Sequence, residues 1–101
     1  MIVRTWRARA PEATAHEYEQ HFRTEVAHKL VSIPGFKGAE LLKRVEAGVA
    51  QIIVQTRWAS MDAVRKFAGE DFERAVVEPA ARAVLTEFDD RVRHYEVVVT
   101  Q

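Results

Sequence analysis

The segments at the two ends of the chain are both predicted to be β-strands, and each carries apolar side chains on both faces. Along residues 2 to about 9, Ile2 and Trp6 fall on one face and Val3 on the other. Along residues 91–99 one face has Val92 and Val98, and the other has Tyr95, Val97 and Val99. A sheet with two apolar faces needs cover on both sides, and helices packed on one side cannot provide it. We therefore expect a homodimer, with Tyr95, Val97 and Val99 at the contact between the two copies.

The segments between these two strands show alternating helix and strand patterns. A helix is predicted to begin at Pro11, which suits a first helical turn, and to end before Pro34, because proline disfavours helix for the residue before it. Two strands follow at about 36–46 and 49–58, and Gly48 allows the tight turn that joins them. The second of these strands alternates cleanly, so the pair is predicted to form a β-hairpin.

The second half of the chain is predicted to hold shorter helices before the last strand. Ser60 is placed to cap a helix that Gly69 ends, and Asp71 can cap a further short turn. Pro79 is placed to begin the helix of residues 79–88. The order of elements is therefore β-α-β-β-α-β. With right-handed crossovers it predicts an α+β, ferredoxin-like fold, in which a four-stranded antiparallel sheet carries its helices on one face.

Length and composition exclude several classes of function. The 101 residues provide for one core, so residues 1–101 are expected to form a single domain. Basic and acidic side chains number 15 each, so the basic excess of a nucleic-acid-binding protein is absent. The chain has no cysteine, which excludes disulfides, thiolate metal sites and cysteine nucleophiles.

No segment is typical of a secreted or membrane-spanning protein. The first ten residues lack the long apolar run of a signal peptide. No stretch approaches the roughly 20 apolar residues that a membrane span needs. Together with the lack of cysteine, these features lead us to expect a cytoplasmic protein with neither a membrane nor a nucleic acid as its partner.

Four segments carry a resemblance that runs nearly from end to end. They are RTWRARA in the first strand, IPGFKGAELLKRV before and within the second, TRWASMDAVRKFAGED across the third strand and its helix, and RVRHYEV in the last. The most specific is W-x-S-x-x-A-x-x-x-F-A-G, formed by Trp58, Ser60, Ala63, Phe67, Ala68 and Gly69. In these segments the chain resembles the antibiotic biosynthesis monooxygenase superfamily, whose members are dimeric α+β barrels.

The resemblance implies a function as well as a fold. Members of the superfamily include cofactor-free oxygenases of polycyclic phenols and quinol-like compounds, and also haem-degrading enzymes. The haem degraders usually have an asparagine in the first strand, and this chain has no Asn at all. Close relatives often have a tyrosine near Val77 or Glu78 and an acidic residue near Ala81, so a pocket there would differ. The resemblance thus implies a monooxygenase of a small phenolic or quinol-like aromatic that uses no cofactor, so no flavin, haem or zinc is expected.

His94 is the candidate catalytic residue. In the last strand it alternates onto the same face as Val92 and Val98. Histidine is the side chain best suited to act as a general base near pH 7, so His94 is a candidate to take the proton of a phenol. The other interpretation is a packed histidine whose ring nitrogens bond to the backbone of a helix or to Glu96.

The candidate substrate-binding residues are aromatic or lie on the first helix. Trp6, Trp58 and Phe67 are typical core residues, but they would equally line a flat pocket for an aromatic ligand. Tyr18 falls on the core face of the first helix and His21 on its flank, where either side chain could hold a ring oxygen.

A stripe of potential metal ligands also runs along the first helix. Glu17, His21, Glu25 and His28 fall within an arc of about 80° at 100° per residue, and their spacings occur in metal sites. The arc lies off the core face, where no further residues are evident to support the ligands. We therefore interpret it as a solvated stripe and expect no metal site.

Two hypotheses for function remain after these observations. The first is the cofactor-independent monooxygenase with His94 as its base. The second is a non-enzymatic dimer of the same fold that binds a small ligand or serves as an interaction module. A cavity of a few hundred Å³ between sheet and helices, lined by Trp58 and reached by His94, would favour the first, and a solid core the second.

Overall fold

The computed structural model describes residues 1–101 and confirms the predicted α+β order. The strands are β1 (Ile2–Pro11), β2 (Phe36–Glu46), β3 (Val49–Trp58), β4 (Glu87–Phe88) and β5 (Arg93–Glu96). The helices are α1 (Glu12–His21), α2 (Ala27–Leu30), α3 (Met61–Ala68) and α4 (Pro79–Val84), with a π-helix (Phe22–Val26) between α1 and α2. No helix is long and apolar enough to cross a membrane.

The sheet is antiparallel with β1 at its centre, as the ferredoxin-like order requires. Its strand order is β2-β3-β1, and both β4 and β5 pair with the free edge of β1. Within this sheet Arg4 lies opposite Thr56 on β3 and opposite His94 on β5. Trp6 and Ala8 are buried on that same face, whereas Arg7 and Arg9 are exposed on the other. The register therefore places His94 on the face that the helices cover.

The first helical region is not one regular α-helix. In the π-helix the backbone N–H of Ala27 bonds to the carbonyl of Phe22, five residues earlier. The extra residue in this turn shifts the helical register between Tyr18 and Leu30, and both of these side chains are buried. π-Helical turns are rare and occur frequently at functional sites.

Two apolar clusters fill the space between the sheet and the helices. One packs Trp6, Tyr18 and Phe22 against the central strands. The other surrounds Trp58 and Leu30, which are both fully buried. Tyr18 and Leu30 come from opposite ends of the same helical region, so this region closes both clusters.

The second half of the chain has one of its two predicted caps, and its helices are shorter than predicted. Ser60 caps α3 by accepting a hydrogen bond from the backbone N–H of Ala63 at 3.2 Å. The side chain of Asp71 does not form the predicted cap, because its carboxylate pairs with Arg91 at 3.0 Å. Its backbone carbonyl accepts from the N–H of Arg74 at 3.1 Å in a short turn, after which residues 75–78 form no helix. Helix α4 ends at Val84 rather than near residue 88, because the chain turns there to place β4 beside β1.

The face of the sheet away from the helices carries exposed apolar side chains. Val3 and Tyr95 lie opposite each other on this face. The last strand is shorter than the predicted 91–99, so Tyr95 lies on β5 whereas Val97 and Val99 follow its end. All three side chains are exposed, Val99 at 72%. Leu42 and Ile53 add further exposed apolar surface on β2 and β3. The single chain thus leaves one face of the sheet uncovered. This is the face that the sequences of the two end strands predict to be covered by a second copy.

Candidate functional site

A small cavity lies between the inner face of the sheet and the helices, and we call it the sheet–helix cavity. Its volume is about 60 Å³. Its aromatic lining residues are Trp6, Tyr18 and Phe67, and its charged or titratable ones are Arg4, His21 and Glu78. Val76 also lines the cavity and is exposed, so the space reaches the surface beside that residue.

Arg4 is a buried cation at the wall of this cavity. It alternates with Ile2 and Trp6 on the inner face of β1, and only 5% of its surface is exposed. Burial lowers the pKa of its guanidinium to about 10, so the group still carries its charge at neutral pH. The guanidinium carbon lies 5.5 Å from the centre of the Phe67 ring, in a cation–π contact.

His94 contacts Arg4 and does not line the cavity. Arg4 Nη1 lies 3.0 Å from His94 Nε2. A guanidinium can only donate, so Nε2 accepts and the proton of the neutral ring resides on Nδ1. Burial, and next the positive charge of Arg4, lower the pKa of His94, while Glu73 opposes them. The ring also packs edge-on against Phe72, with the ring centres 5.6 Å apart.

Tyr18 and His21 reach the cavity from α1. Their ring centres are 6.0 Å apart, and Trp6 lies 5.9 Å from Tyr18 on the other side. Burial, and after it the charge of Glu78, raise the pKa of Tyr18 above its ordinary value. The hydroxyl of Tyr18 therefore stays protonated at neutral pH and can donate a hydrogen bond to a ligand.

Four of the six predicted site residues line the cavity together, namely Trp6, Tyr18, His21 and Phe67. His94 does not line it and stands behind Arg4. Trp58 does not line it either, and its ring stacks beneath Phe67 at 5.4 Å. The cavity is also smaller than the few hundred Å³ that would favour the monooxygenase hypothesis. The cavity lies between sheet and helices as expected, but it is smaller than expected and lacks two of its predicted lining residues, Trp58 and His94.

Sequence reasoning missed Arg4. The signal was present, because strand alternation places Arg4 between Ile2 and Trp6 on the face predicted to be apolar. A charged side chain at such a position must be paired or have a special purpose, since burying an unpaired charge is costly. Glu78 was considered only as a position where relatives differ, and it proves to be a lining residue.

A larger groove of about 950 Å³ lies near β4. Its lining includes two ion pairs, Arg7 with Asp89 at 3.0 Å and Arg9 with Glu87 at 3.7 Å. Arg7, Arg9 and Ile53 point to the face that the helices do not cover. The groove is open and these residues lie on the uncovered face of the sheet, so we assign the candidate site to the smaller, more enclosed cavity.

The acidic and imidazole side chains of the first helical region do not converge. No group of three or more His, Cys, Asp or Glu side chains in the chain could hold a metal ion. Glu17, Glu25 and His28 are exposed. Three of the four side chains in the stripe are therefore solvated, whereas His21 is half-buried and lines the sheet–helix cavity.

Solved structures with the same fold cover almost the whole chain. The haem degrader MhuD of Mycobacterium tuberculosis, solved with two haems in its active site, is 27% identical over 100% of this chain and 99% of its own, with a TM-score of 0.69. A candidate antibiotic biosynthesis monooxygenase of Bacillus cereus is 18% identical over 99% and 95%, at 0.70. A monooxygenase of Streptomyces coelicolor in complex with nanaomycin D is 14% identical over 99% and 92%, at 0.58. The two structures below 25% identity support the fold alone.

The family comparison covers most of the chain as well. No curated protein matches the sequence. Residues 1–79 match the family described as antibiotic biosynthesis monooxygenase, and this stretch includes β1 to α3, with Arg4 and all four predicted cavity residues. His94 lies beyond the matched stretch. The chain belongs to the antibiotic biosynthesis monooxygenase family.

Proposed function

We propose that the protein is a monooxygenase that oxidises a small phenolic or quinol-like aromatic in the sheet–helix cavity, with dioxygen as the oxidant and no cofactor. The observation that carries the proposal is that the chain belongs to a monooxygenase family, and the aromatic walls and few polar groups of the cavity are compatible with an aromatic substrate. Trp6, Tyr18 and Phe67 would enclose the ring of the substrate.

The chemistry balances without any further reactant. The phenol first loses its proton, and the electron-rich phenolate passes one electron to dioxygen, which gives a phenoxyl radical and superoxide. The two combine at a ring carbon that carries hydrogen, and loss of water from the resulting hydroperoxide leaves a quinone. One oxygen atom enters the ring and the other leaves as water.

The sequence-based hypothesis assigns the removal of the phenolic proton to His94, and the geometry around this residue argues against that role. The Nε2 lone pair of His94 already accepts a hydrogen bond from Arg4, and the ring stands outside the cavity. His21 lines the cavity and is therefore the imidazole better placed to receive the proton. The geometry favours His94 as a residue that positions Arg4.

The size of the cavity limits the substrate. An apolar protein cavity of about 150 Å³ is known to hold one benzene ring, so a ring can enter this cavity of about 60 Å³ only if a wall moves. Val76, Val77 and Glu78 form the wall with the fewest constraints, because these residues belong to no helix or strand. We propose that this segment shifts outward as a single-ring substrate binds.

Haem does not fit the cavity, although MhuD is a haem degrader. Pockets that enclose drug-sized ligands run from about 300 Å³ upwards, well above the volume available here. We therefore propose no reaction of haem for this chain.

Filling the cavity should slow oxidation strongly while leaving the fold intact. Val54 lines the cavity from β3, so Val54→Phe is expected to slow oxygen uptake with a methyl-hydroquinone by roughly 100-fold, because the ring of the substrate is displaced. Val31→Phe makes the same change at an exposed site after α2 and should react like the unmodified protein. Equal rates for the two variants in an oxygen electrode would place the reaction elsewhere.

Non-enzymatic binding of a small ligand is the second candidate function. Two observations favour it, namely the small volume of the cavity and the occupied lone pair of His94. Measuring oxygen uptake also distinguishes this second function from the first, because a protein that only binds its ligand would catalyse no oxygen uptake with any hydroquinone tested.

We further propose that the protein acts as a homodimer that covers the exposed sheet face. Sedimentation at micromolar concentration should give about twice the 11.5 kDa of one chain. Val97→Asp or Val99→Asp is expected to weaken association, because the contact would desolvate the new charge. Val31→Asp, also at an exposed valine, should not. A monodisperse 11.5 kDa species for the unmodified protein would contradict the proposal.

A further inference from the structure

We infer that the sheet–helix cavity is an anion-binding site, in which the guanidinium of Arg4 and the hydroxyl of Tyr18 hold an anionic oxygen of the ligand, and His94 positions Arg4. The inference deepens the proposed function by naming the class of ligand, a small aromatic phenolate or carboxylate. It concerns binding alone and does not require turnover.

The charge of Arg4 has no counter-ion in the chain. Arg4 takes part in no ion pair, although it is among the most buried polar residues of the protein. Its hydrogen-bond partners are the carbonyls of Phe72 and Arg74 and the neutral ring of His94. Buried charges in proteins are normally paired. An anionic ligand would supply the missing partner.

The guanidinium also has donors to spare. Of its five N–H groups, the two on Nη1 are used by Phe72 O at 2.6 Å and His94 Nε2 at 3.0 Å. Nη2 makes one long contact, 3.4 Å to Arg74 O. The Nε–H and the second Nη2–H have no acceptor in the protein. Arg4 lines the cavity, so these two hydrogens are available to a ligand there.

Tyr18 adds a second unused donor. Only 4% of this residue is exposed, and its hydroxyl makes no hydrogen bond within the protein. The hydroxyl is not among the side-chain atoms closed off from solvent, so it borders accessible space that a ligand can reach. Tyr18 reaches the cavity from α1 and Arg4 from β1, so the two donors approach a ligand from opposite walls.

The remaining charged group of the cavity is Glu78, whose negative charge acts on Tyr18 and in part opposes an anion there. The carboxylate of Glu78 lies 3.5 Å from Nζ of Lys29, which compensates its charge. Glu78 also belongs to the segment 75–78 at the mouth, whereas Arg4 lies on the sheet behind it. An anionic group can therefore enter past Glu78 to reach Arg4.

His94 fixes the direction in which Arg4 points. It holds Nη1 from one side, the Phe72 carbonyl holds it from the other, and the Phe67 ring lies against the face of the guanidinium. With Nη1 held, the unused hydrogens on Nε and Nη2 keep a fixed orientation. His94 is in this sense a positioning residue for the anion site.

Binding of benzoate and of its neutral isostere benzamide tests the inference by isothermal titration calorimetry at neutral pH. Neither probe has an oxidisable hydroxyl, so turnover plays no part. Charge-assisted hydrogen bonds should make benzoate bind roughly 10- to 100-fold more tightly than benzamide. Tyr18→Phe removes one donor and should reduce this preference, and Arg4→Gln should abolish it. Arg44→Gln, a change at an exposed arginine on β2, should leave it unaltered.

Two substitutions at His94 test the positioning role. His94→Gln retains an acceptor for Arg4 Nη1 and should keep most of the preference for benzoate, whereas His94→Leu should lose most of it. Thermal melting of each variant checks that it is folded, and Tyr18→Phe keeps the inference testable if Arg4→Gln does not fold.

The results that would overturn the inference are distinct from those that would overturn the proposed function. Equal binding of benzoate and benzamide, failure of both to bind, or a preference that survives both Tyr18→Phe and Arg4→Gln would each overturn the anion site. A protein that binds benzoate through Arg4 but oxidises no hydroquinone would support the anion site and contradict the monooxygenase proposal.

Titration with 4-nitrophenol tests whether the site accepts a phenolate as well as a carboxylate. Only the phenolate form of this probe absorbs visible light, so binding of the phenolate should appear as a lowered pKa of the bound phenol.

Discussion

His94→Ala is expected to slow oxygen uptake by roughly 100-fold and His94→Gln to restore most of the rate. Alanine leaves Arg4 Nη1 without its acceptor at 3.0 Å, so the guanidinium loses its fixed orientation toward the substrate. Glutamine offers a carbonyl oxygen at about the same reach, so it can hold Nη1 as the ring does. Rates with a methyl-hydroquinone, measured in an oxygen electrode for all three proteins, give the comparison.

The same pair of variants decides the role of His94 that the sequence suggested. A general base contributes roughly 10²–10⁴-fold, and an amide cannot take up a proton at neutral pH. If His94 were the base, glutamine would be as slow as alanine. A stability difference is expected in either case, because losing the hydrogen bond lowers the free energy of unfolding by about 1–3 kcal/mol. Melting temperature and oxygen uptake must therefore be measured on the same preparations.

The pH dependence of stability provides an independent readout at His94. Its pKa in the folded protein lies below the ordinary value of about 6.5, so below that pH the unfolded chain binds more protons. The contribution of His94 to stability is therefore complete above about pH 6.5 and is lost as the pH falls through the folded pKa. His94→Gln should remove this part of the acid destabilisation. An unchanged pH profile in the variant would show that another group causes it.

Trp58→Ala is expected to lower the free energy of unfolding by about 3–5 kcal/mol, the range for removing a large buried aromatic side chain. Trp58 is 0% exposed, stacks on Phe67 at 5.4 Å and meets Phe36 edge-on at 5.4 Å. Its indole nitrogen also donates to Thr56 Oγ1 at 2.8 Å. In a domain of this size the melting temperature should fall by roughly 10 °C or more.

Trp58→Phe is the matched variant, since it keeps an aromatic ring and loses only part of the volume and the N–H donor. It should cost clearly less than alanine. A direct role of Trp58 in lining a pocket for an aromatic ligand, the other interpretation of this side chain, predicts weaker ligand binding at unchanged stability. Calorimetric unfolding and benzoate titration of both variants therefore separate a core residue from a pocket residue. A melting temperature unaffected by Trp58→Ala would contradict the packing described above.

The sheet and its hairpin could be predicted because strand alternation is a local property. Successive side chains point to opposite faces, so the order of residues in β3 determines which ones share a face once a strand forms. The same rule put Tyr95 and His94 on opposite faces of β5. It also put Arg4 beside Trp6, although a buried arginine was not anticipated from a pattern expected to be apolar.

The helices were predicted less well, because their lengths depend on contacts between distant elements. Nothing in the local sequence of Phe22–Val26 indicates a π-helix. The π-helix shifts the helical register, and this shift allows Tyr18 and Leu30 to pack in two different apolar clusters. Helix α4 ends early because the chain that follows it pairs with β1. Intrinsic propensities are weak where tertiary packing competes with them.

Some features of the candidate site could likewise be predicted from the sequence, and others depend on the tertiary structure. By itself the sequence determined the fold class, the family and four aromatic or imidazole residues that face the interior, because periodicity and motif spacing are written along the chain. Only the tertiary structure decided that Arg4 and His94 are partners, since their contact depends on the pairing of the first strand with the last. It also decided the volume of the cavity, which is the space left over by side chains from both halves of the chain, and no single segment carries that quantity.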